Sequence, residues 1–408
     1  METVKTVIIG GGAAGLFLAT SLADEKQTTV LLERGERLGR KLSATGNGQG
    51  NVSNANLSSL RYFCVEKKAD KATLNNALNR FDVASLTEFF ARLGVLLQTD
   101  ERGRIYPASR QASSLTDALR RRLEISSVRV RLNSIVNKIE KKGRVFLLTY
   151  VSPAGEKKII AENVVFCTGG KAAKNFGTDG SAYALIQSLG HTLTPLYPSL
   201  VQLKTKTTDI KTLKGIRVND AGVRAFIDGR EVCSLVGDVI FTEFGVSGDA
   251  IFRSSAFLTA EEGRERVLSL DFLPTVKEES LREFIRNKGK SISCPKEELL
   301  GGIVNNQLAR VISKRCGGST SEYANAVKNF RLELTGSLGF DYAQVTKGGV
   351  PLTEVNEGFE SKKERGLYFA GEVLDVDGEC GGFNLHFAYA SAKTVAEEII
   401  KKQAKKEK

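Results

Sequence analysis

Val4-Lys5-Thr6-Val7-Ile8-Ile9-Gly10-Gly11-Gly12-Ala13-Ala14-Gly15 opens the chain as an apolar run broken by three consecutive glycines, followed by an Ala- and Leu-rich stretch to about Ala23. Thr28 to Glu33 is a second apolar run ending in an acid. Apolar residues at strand spacing, then glycines, then helical spacing, then a strand read as one βαβ unit of a doubly wound sheet. The glycines fit G-x-G-x-x-G in the context that gives that pattern meaning, after a strand and at the start of a helix. Gly10 allows the tight turn, Gly12 lets backbone approach a pyrophosphate, and Gly15 permits close packing of helix on strand. Ala13 and Ala14 belong to the same turn. Unpaired N–H groups and the positive end of the helix dipole then face the phosphates. Glu33, about 20 residues on, is placed to accept both hydroxyls of an adenosine ribose.

The residues after Glu33 extend the site. Arg34 to Leu42 lead into Ser43-Ala44-Thr45-Gly46-Asn47-Gly48-Gln49-Gly50-Asn51, a glycine-rich loop too long for a simple crossover. Its backbone can line an extended cofactor, with Arg34, Lys41, Leu42, Gly46, Asn47, Gly48 and Asn51 as candidate contacts. Far along the chain, Gly366 to Gly371 is another buried strand ending in glycine, followed by Glu372. Gly371-Glu372 resembles the segment by which glutathione-reductase-like flavoproteins hold the ribityl chain and pyrophosphate. A nicotinamide dinucleotide needs no such remote clamp, so non-covalent FAD is expected. A second G-x-G-x-x-G is absent, so NAD(P)H is expected only as a transient donor.

Bulk properties bound the rest. At 408 residues with 41% hydrophobic content, two or three domains with a sizeable core are expected. Met-Glu-Thr-Val-Lys runs straight into the first strand, with no signal-peptide pattern and no apolar run of membrane-spanning length. The six cysteines are scattered without a C-x-x-C pair and there are two histidines, so no metal site is expected. A soluble, cytoplasmic protein with reduced thiols, and no membrane or stable protein partner, is the expectation. The formal charge of +12 fits either a polyanionic partner or a solubilising surface.

Residues 71–124 read as mostly helical, with a turn or short strand at Gly103 to Pro107. Val128 to Leu132, Val145 to Tyr150 and Ile159 to Cys167 read as strands. From about 191 the texture becomes short strands with Gly and Asp turns, including an Asp228-Gly229 hairpin signal. Residues 277–331 read as amphipathic helices broken at Cys294-Pro295 and Cys316-Gly317-Gly318, and Tyr342 to Val345 as a return to strand. Gly382 to Ile400 is the closing helix.

Together these segments resemble the BaiN/RdsA family of NAD(P)/FAD-dependent flavoproteins over nearly the whole chain. The likeness rests on the glycine motif through Asn54, on Cys167 to Gly170 with Gly177 to Gly180, on Phe241 to Ile251, and on Gly371 to Ala390. It implies an α/β fold: a Rossmann-type FAD-binding domain from residues 1–190 and 346–408, an inserted β-barrel-like domain from 191–275 and 332–345, and a helical insertion at 276–331. It also implies that Thr168, Gly169 and Gly170 pass close to the cofactor, and that Gly382, Phe383 and Asn384 face the isoalloxazine ring. Arg104, Tyr106 and Ser109 are implied pocket residues. His386 is either a pocket proton donor or a packed helix histidine, and His191 a structural residue at a domain junction. Gln49-Gly50 stands where many relatives read Arg-Cys, and Glu243 where they often have His, so no role resting on those residues carries over.

Three functional readings follow: a reductase delivering hydride from reduced flavin to an activated C=C, a flavin oxidase of a small amine or amino acid, or an RNA-binding or FAD-binding protein without turnover. The substrate is a small molecule or RNA. Family likeness to enzymes that reduce a uracil in ribosomal RNA, with Lys204, Lys206, Lys211, Lys214, Arg217, Arg224 and Arg230 in the β-rich part, makes ribosomal RNA a candidate partner. The acids set against them are Asp209, Asp220, Asp228 and Glu231.

Overall fold

The computed structural model describes residues 1–25, 27–66, 71–206, 208, 210–291 and 298–406. Cys294-Pro295 and Asp209 lie outside them. The chain divides into two compact units, one of Met1–Tyr197 with Val345–Lys408 and one of Pro198–Gln344.

The first unit is built on a seven-stranded sheet. Strand β1 (Glu2–Ile9) lies between β2 (Thr29–Leu32) and the long strand Gly155–Phe166, parallel to both, and Arg129–Arg131 extends the β2 edge. Val7 and Ile8 point to opposite faces and both are fully buried, so both faces of β1 are covered. Helix α1 (Ala13–Ser21) is almost wholly buried for the same reason. The strand Gly155–Phe166 has two neighbours on its other side. Its first half pairs antiparallel with Val145–Ser152, and its last three residues pair parallel with Leu367–Phe369. The C-terminal part of the chain thereby enters the sheet beside the N-terminal glycine turn, and the helix Phe383–Lys406 closes the unit. Ile135–Lys142, an antiparallel partner of Val145–Ser152, was not foreseen, although Gly143-Arg144 supplies a hairpin turn with Gly143 at φ +61°.

The second unit contains a closed barrel of six strands, ordered Leu203–Thr205, Gly245–Ser247, Arg230–Phe241, Arg217–Ile227, Arg266–Asp271 and Phe330–Ser337. Helices Glu278–Ser291, Asn306–Arg315 and Thr320–Lys328 belong to the same unit. Their buried residues Leu281, Ile285, Leu308, Ile312 and Tyr323 share one core with barrel residues Val223, Val239, Phe241 and Leu268. The return to strand expected near Tyr342 to Val345 comes at its last residue, in Val345–Lys347, and an unforeseen strand precedes it at Phe330–Ser337, where Phe330 and Leu332 point inward and Arg331 and Glu333 outward. Tyr342 sits in a turn and is 62% exposed.

Candidate flavin site

At the C-terminal end of β1, Gly10 holds φ +100°, and a Cβ there would lie 2.6 Å from the Cys167 carbonyl oxygen. A Cβ on Gly15 would collide with the Gly10 carbonyl, so α1 presses hard against the strand end. Gly12 is different. A Cβ there meets nothing within 4 Å, so the backbone entering α1 faces open space, where the helix's first N–H groups have no intrahelical partner. Ala14 instead faces protein: a Cβ on Gly371, which holds φ +77°, would lie 2.8 Å from the Ala14 Cβ. The Gly371 N–H donates to Ser391 Oγ at 2.9 Å.

Glu33 accepts the Gly11 and Gly35 N–H groups, each at 2.6 Å, on its two carboxylate oxygens. Each oxygen retains acceptor capacity for a ribose hydroxyl. Arg34 turns away to Asp179, and Lys41 forms an ion pair with Glu372 at 2.7 Å above the buried Leu42. The other Glu372 oxygen accepts the Thr346 N–H at 2.9 Å, while Thr346 Oγ1 accepts the N–H groups of Lys171 and Ala172. Thr346 thus ties the turn after Thr168-Gly169-Gly170 to Glu372. Sequence reasoning gave it no role, although the Gly348-Gly349 doublet beyond it marks a tight approach of backbone.

Asn47 and its neighbours Gly46, Gly48 and Gly50 all hold positive φ, and a Cβ on Gly48 would meet open space. Asn51 is buried against Gly382, which holds φ +100° so closely over Ser53 that a Cβ would strike the Ser53 carbonyl. Phe383 packs edge-to-face on Tyr62, whose hydroxyl donates to the Phe383 carbonyl at 2.9 Å. The Asn384 side chain holds Gly378, accepting its N–H and donating to its carbonyl, both at 2.8 Å. It therefore fixes the approach to the closing helix.

Two side-chain oxygens test the fit of a flavin dinucleotide. Asn51 Oδ1 and Thr168 Oγ1 are buried and lack a hydrogen-bond partner among the described residues, a cost that a polar ligand removes. With the open face at Gly12 and the Glu33 carboxylate, these residues fit FAD.

Of the pocket candidates, Arg104 pairs with Asp100 at 2.8 Å, and Tyr106 is buried with the Arg110 guanidinium 4.1 Å from its ring centroid. Burial holds the Tyr106 phenol above its ordinary pKa. The strand Arg104–Pro107 pairs with Ser53–Asn54, and Asn54 Nδ2 donates to the Gly381 carbonyl at 3.0 Å. These two candidates therefore converge on the turn before the closing helix. Ser109 is exposed and bonded to Ser114 at 2.7 Å. His386 is fully buried, with Nδ1 2.8 Å from Ser53 Oγ and Nε2 2.8 Å from the Phe81 carbonyl. The carbonyl can only accept, so Nε2 carries the hydrogen and Nδ1 accepts from Ser53. This is the packed helix histidine, and burial pushes its pKa down to about 4. His191 is equally enclosed, between Glu354 at 2.6 Å and Ser361 at 2.8 Å.

The family model described as HI0933-like protein Rossmann domain matches residues 4–398. This chain belongs to the HI0933-like family. Across 402 residues it is 34% identical to a 3-dehydro-bile acid delta(4,6)-reductase of Clostridium scindens, covering 94% of this chain and 96% of the relative. It is 27% identical to a ribosomal RNA dihydrouridine synthase of Haemophilus influenzae, over 97% of this chain and 98% of that protein. Among solved structures, a 3-ketosteroid delta1-dehydrogenase of Sterolibacterium denitrificans superposes with a TM-score of 0.55 at 12% identity, covering 98% of this chain and all of that one. At that identity the likeness shows the fold alone. The HI0933-like chain is an FAD-dependent oxidoreductase built on a Rossmann-type unit. No helix among the described residues is long and apolar enough to cross a membrane.

Proposed function

We propose that this HI0933-like chain reduces a C=C bond conjugated to a carbonyl in a small planar substrate, with a transiently docked NAD(P)H as electron source. The observation that carries this reading is the near-complete alignment with the bile acid delta(4,6)-reductase. Its name and that of the ribosomal RNA dihydrouridine synthase denote the same chemistry, hydrogen added across a C=C next to a carbonyl. Bound FAD supplies hydride transfer. The chain's residues do the remaining work. Gly12 and the start of α1 bind the pyrophosphate, Glu33 the ribose, and the Lys41–Glu372 pair orients the middle of the cofactor. The Tyr106 phenol stays protonated at neutral pH and supplies the proton to the carbon that does not receive hydride. Arg104 and Arg110, flanking its ring, stabilise the charge left behind.

The deciding experiment is anaerobic stopped-flow. The oxidised protein should be reduced by NADH or NADPH, and the reduced protein reoxidised by a 4-en-3-one steroid faster than by oxygen. Peroxide release with small amines, and no reaction with the enone, would replace this reading with an amine oxidase. Nicotinamide affinity should be weak, since the second glycine fingerprint is missing, and a sub-micromolar dissociation constant in the oxidised protein would contradict transient docking. A second reading, reduction of a uracil in ribosomal RNA, is favoured by the two full-length dihydrouridine synthase relatives, at 27% and 26% identity.

A further inference from the structure

The segment after Gly170 folds back on its own origin and is then tied to a different strand. Near its start, the Thr178 hydroxyl donates to the carbonyls of Ala172 and Ala173. Gly169, at φ +68°, is crowded by Thr178, whose Cγ2 would lie 2.9 Å from a Cβ there. Its other anchor is Arg34, the residue after Glu33. Arg34 Nη1 donates to Asp179 Oδ1 at 2.7 Å, to Ser181 Oγ at 3.1 Å and to the Gly177 carbonyl at 3.5 Å. Asp179 Oδ1 also accepts from the Ser181 N–H at 3.0 Å and its hydroxyl at 2.6 Å. Arg40 Nη2 adds a bond to the Asn175 carbonyl at 2.8 Å.

We propose that residues 171–181 form a strap over the nucleotide half of bound FAD, and that Arg34 and Asp179 are its latch. The sheet order supports this. The strap leaves from the end of Gly155–Phe166 and is fastened just past the end of β2, and β1 lies between those two strands. A segment anchored on both neighbours must cross the end of β1, where Gly10 to Gly12 stand. Ligands of open α/β sheets lie in that crevice. The strap is held mainly by polar ties, since Lys174, Asn175 and Phe176 are exposed, so it can open without unfolding the core. Burial alone would raise the Asp179 pKa, but bonds from Ser181 and Arg34 outweigh it and hold the carboxyl at about 2. The latch therefore stays charged at any working pH and responds to salt instead. Asp179 thus retains the cofactor without touching its reacting ring.

The inference rests on FAD occupancy, which the colour of the purified protein reports separately. Release of FAD from the holoprotein, followed by flavin fluorescence after dilution, tests the latch. Asp179→Asn, Asp179→Ala, Arg34→Ala and the Asp179→Ala/Arg34→Ala double variant should each speed release by about 3- to 10-fold, the double no more than the singles, because one ion pair is removed in every case. Trypsin should cut after Lys174 faster in the variant holoproteins than in the parent. Unchanged release rates in the Asp179 variants would overturn the latch. So would acceleration by Arg34→Ala alone, which would make Arg34 a direct contact of the nucleotide. A colourless parent protein that ignores added FAD would instead overturn the flavin assignment.

Discussion

Glu33 and His386 show how differently two candidate residues are spent. Glu33 bonds the Gly11 and Gly35 amides, so it shapes the glycine turn as well as offering acceptors to a ribose. Glu33→Ala should weaken FAD binding by about 1–3 kcal/mol, the cost of lost hydrogen bonds to a half-buried acceptor, measurable by titrating apoprotein with FAD. An unchanged dissociation constant would remove Glu33 from the site. His386 bears on stability. Its folded pKa, about 4, lies below the ordinary histidine value of 6.5. The unfolded chain therefore binds a proton that the folded chain refuses between those values. Stability from this group is fully present above pH 6.5 and is lost as pH falls toward 4, by on the order of 3 kcal/mol. His191 is shifted in the same direction, by burial working against the pull of Glu354. Urea unfolding at pH 7, 6 and 5 should show a falling midpoint, and His386→Gln should flatten part of that slope.

The turn between β1 and α1 separates a glycine needed by the fold from one needed by the ligand. Gly15→Ala puts a methyl into the Gly10 carbonyl and should lower both the melting temperature and FAD affinity. Gly12→Ala meets open space at φ −74°, so the apoprotein should keep its stability within about 0.5 kcal/mol while FAD affinity falls, the methyl occupying the pyrophosphate's approach. Equal effects of the two substitutions on unfolding would contradict this division. The same turn explains what was legible in the sequence. Its chemistry is written in consecutive residues, as is the Gly381-Gly382 turn, so both could be read directly. Long-range pairings could not. Lys41 and Glu372 were each named as cofactor contacts, but 331 positions separate them, and nothing local says that they meet. His386 could be read either as a proton donor or as a packed helix histidine, because one of its partners, the Phe81 carbonyl, is backbone and leaves no side-chain signature. The Arg34–Asp179 tie was hidden in the same way, although both residues lie in segments that carried the family resemblance.

Over the whole molecule, charge bears on the choice between the two substrate classes. The expectation of a basic barrel face compared seven Lys and Arg with acids of the same stretch only, and folding brings in others. Lys206 pairs with Glu333, Lys214 with Glu243, and Arg217 with Asp238. Residues 198–344 carry 21 Lys and Arg against 19 Asp and Glu, so nearly all of the +12 belongs to the rest of the chain, with 38 against 28. An RNA substrate must also have its base extruded, at a few kcal/mol that phosphate contacts repay. Phosphates laid on the barrel unit, with its nearly balanced charge, repay little. Binding of ribosomal RNA fragments should therefore fall only gently with salt, with a log–log slope shallower than about −3, corresponding to roughly four phosphate contacts on a single strand. Scrambled RNA should bind equally well, and deleting the gene should leave the dihydrouridine content of ribosomal RNA unchanged. A slope near −5 with preference for one fragment, and loss of one dihydrouridine in the deletion strain, would make RNA the substrate. Barrel lysines and arginines would then have to exchange Glu333, Glu243 and Asp238 for phosphates, and Glu333→Gln or Glu243→Gln should tighten RNA binding.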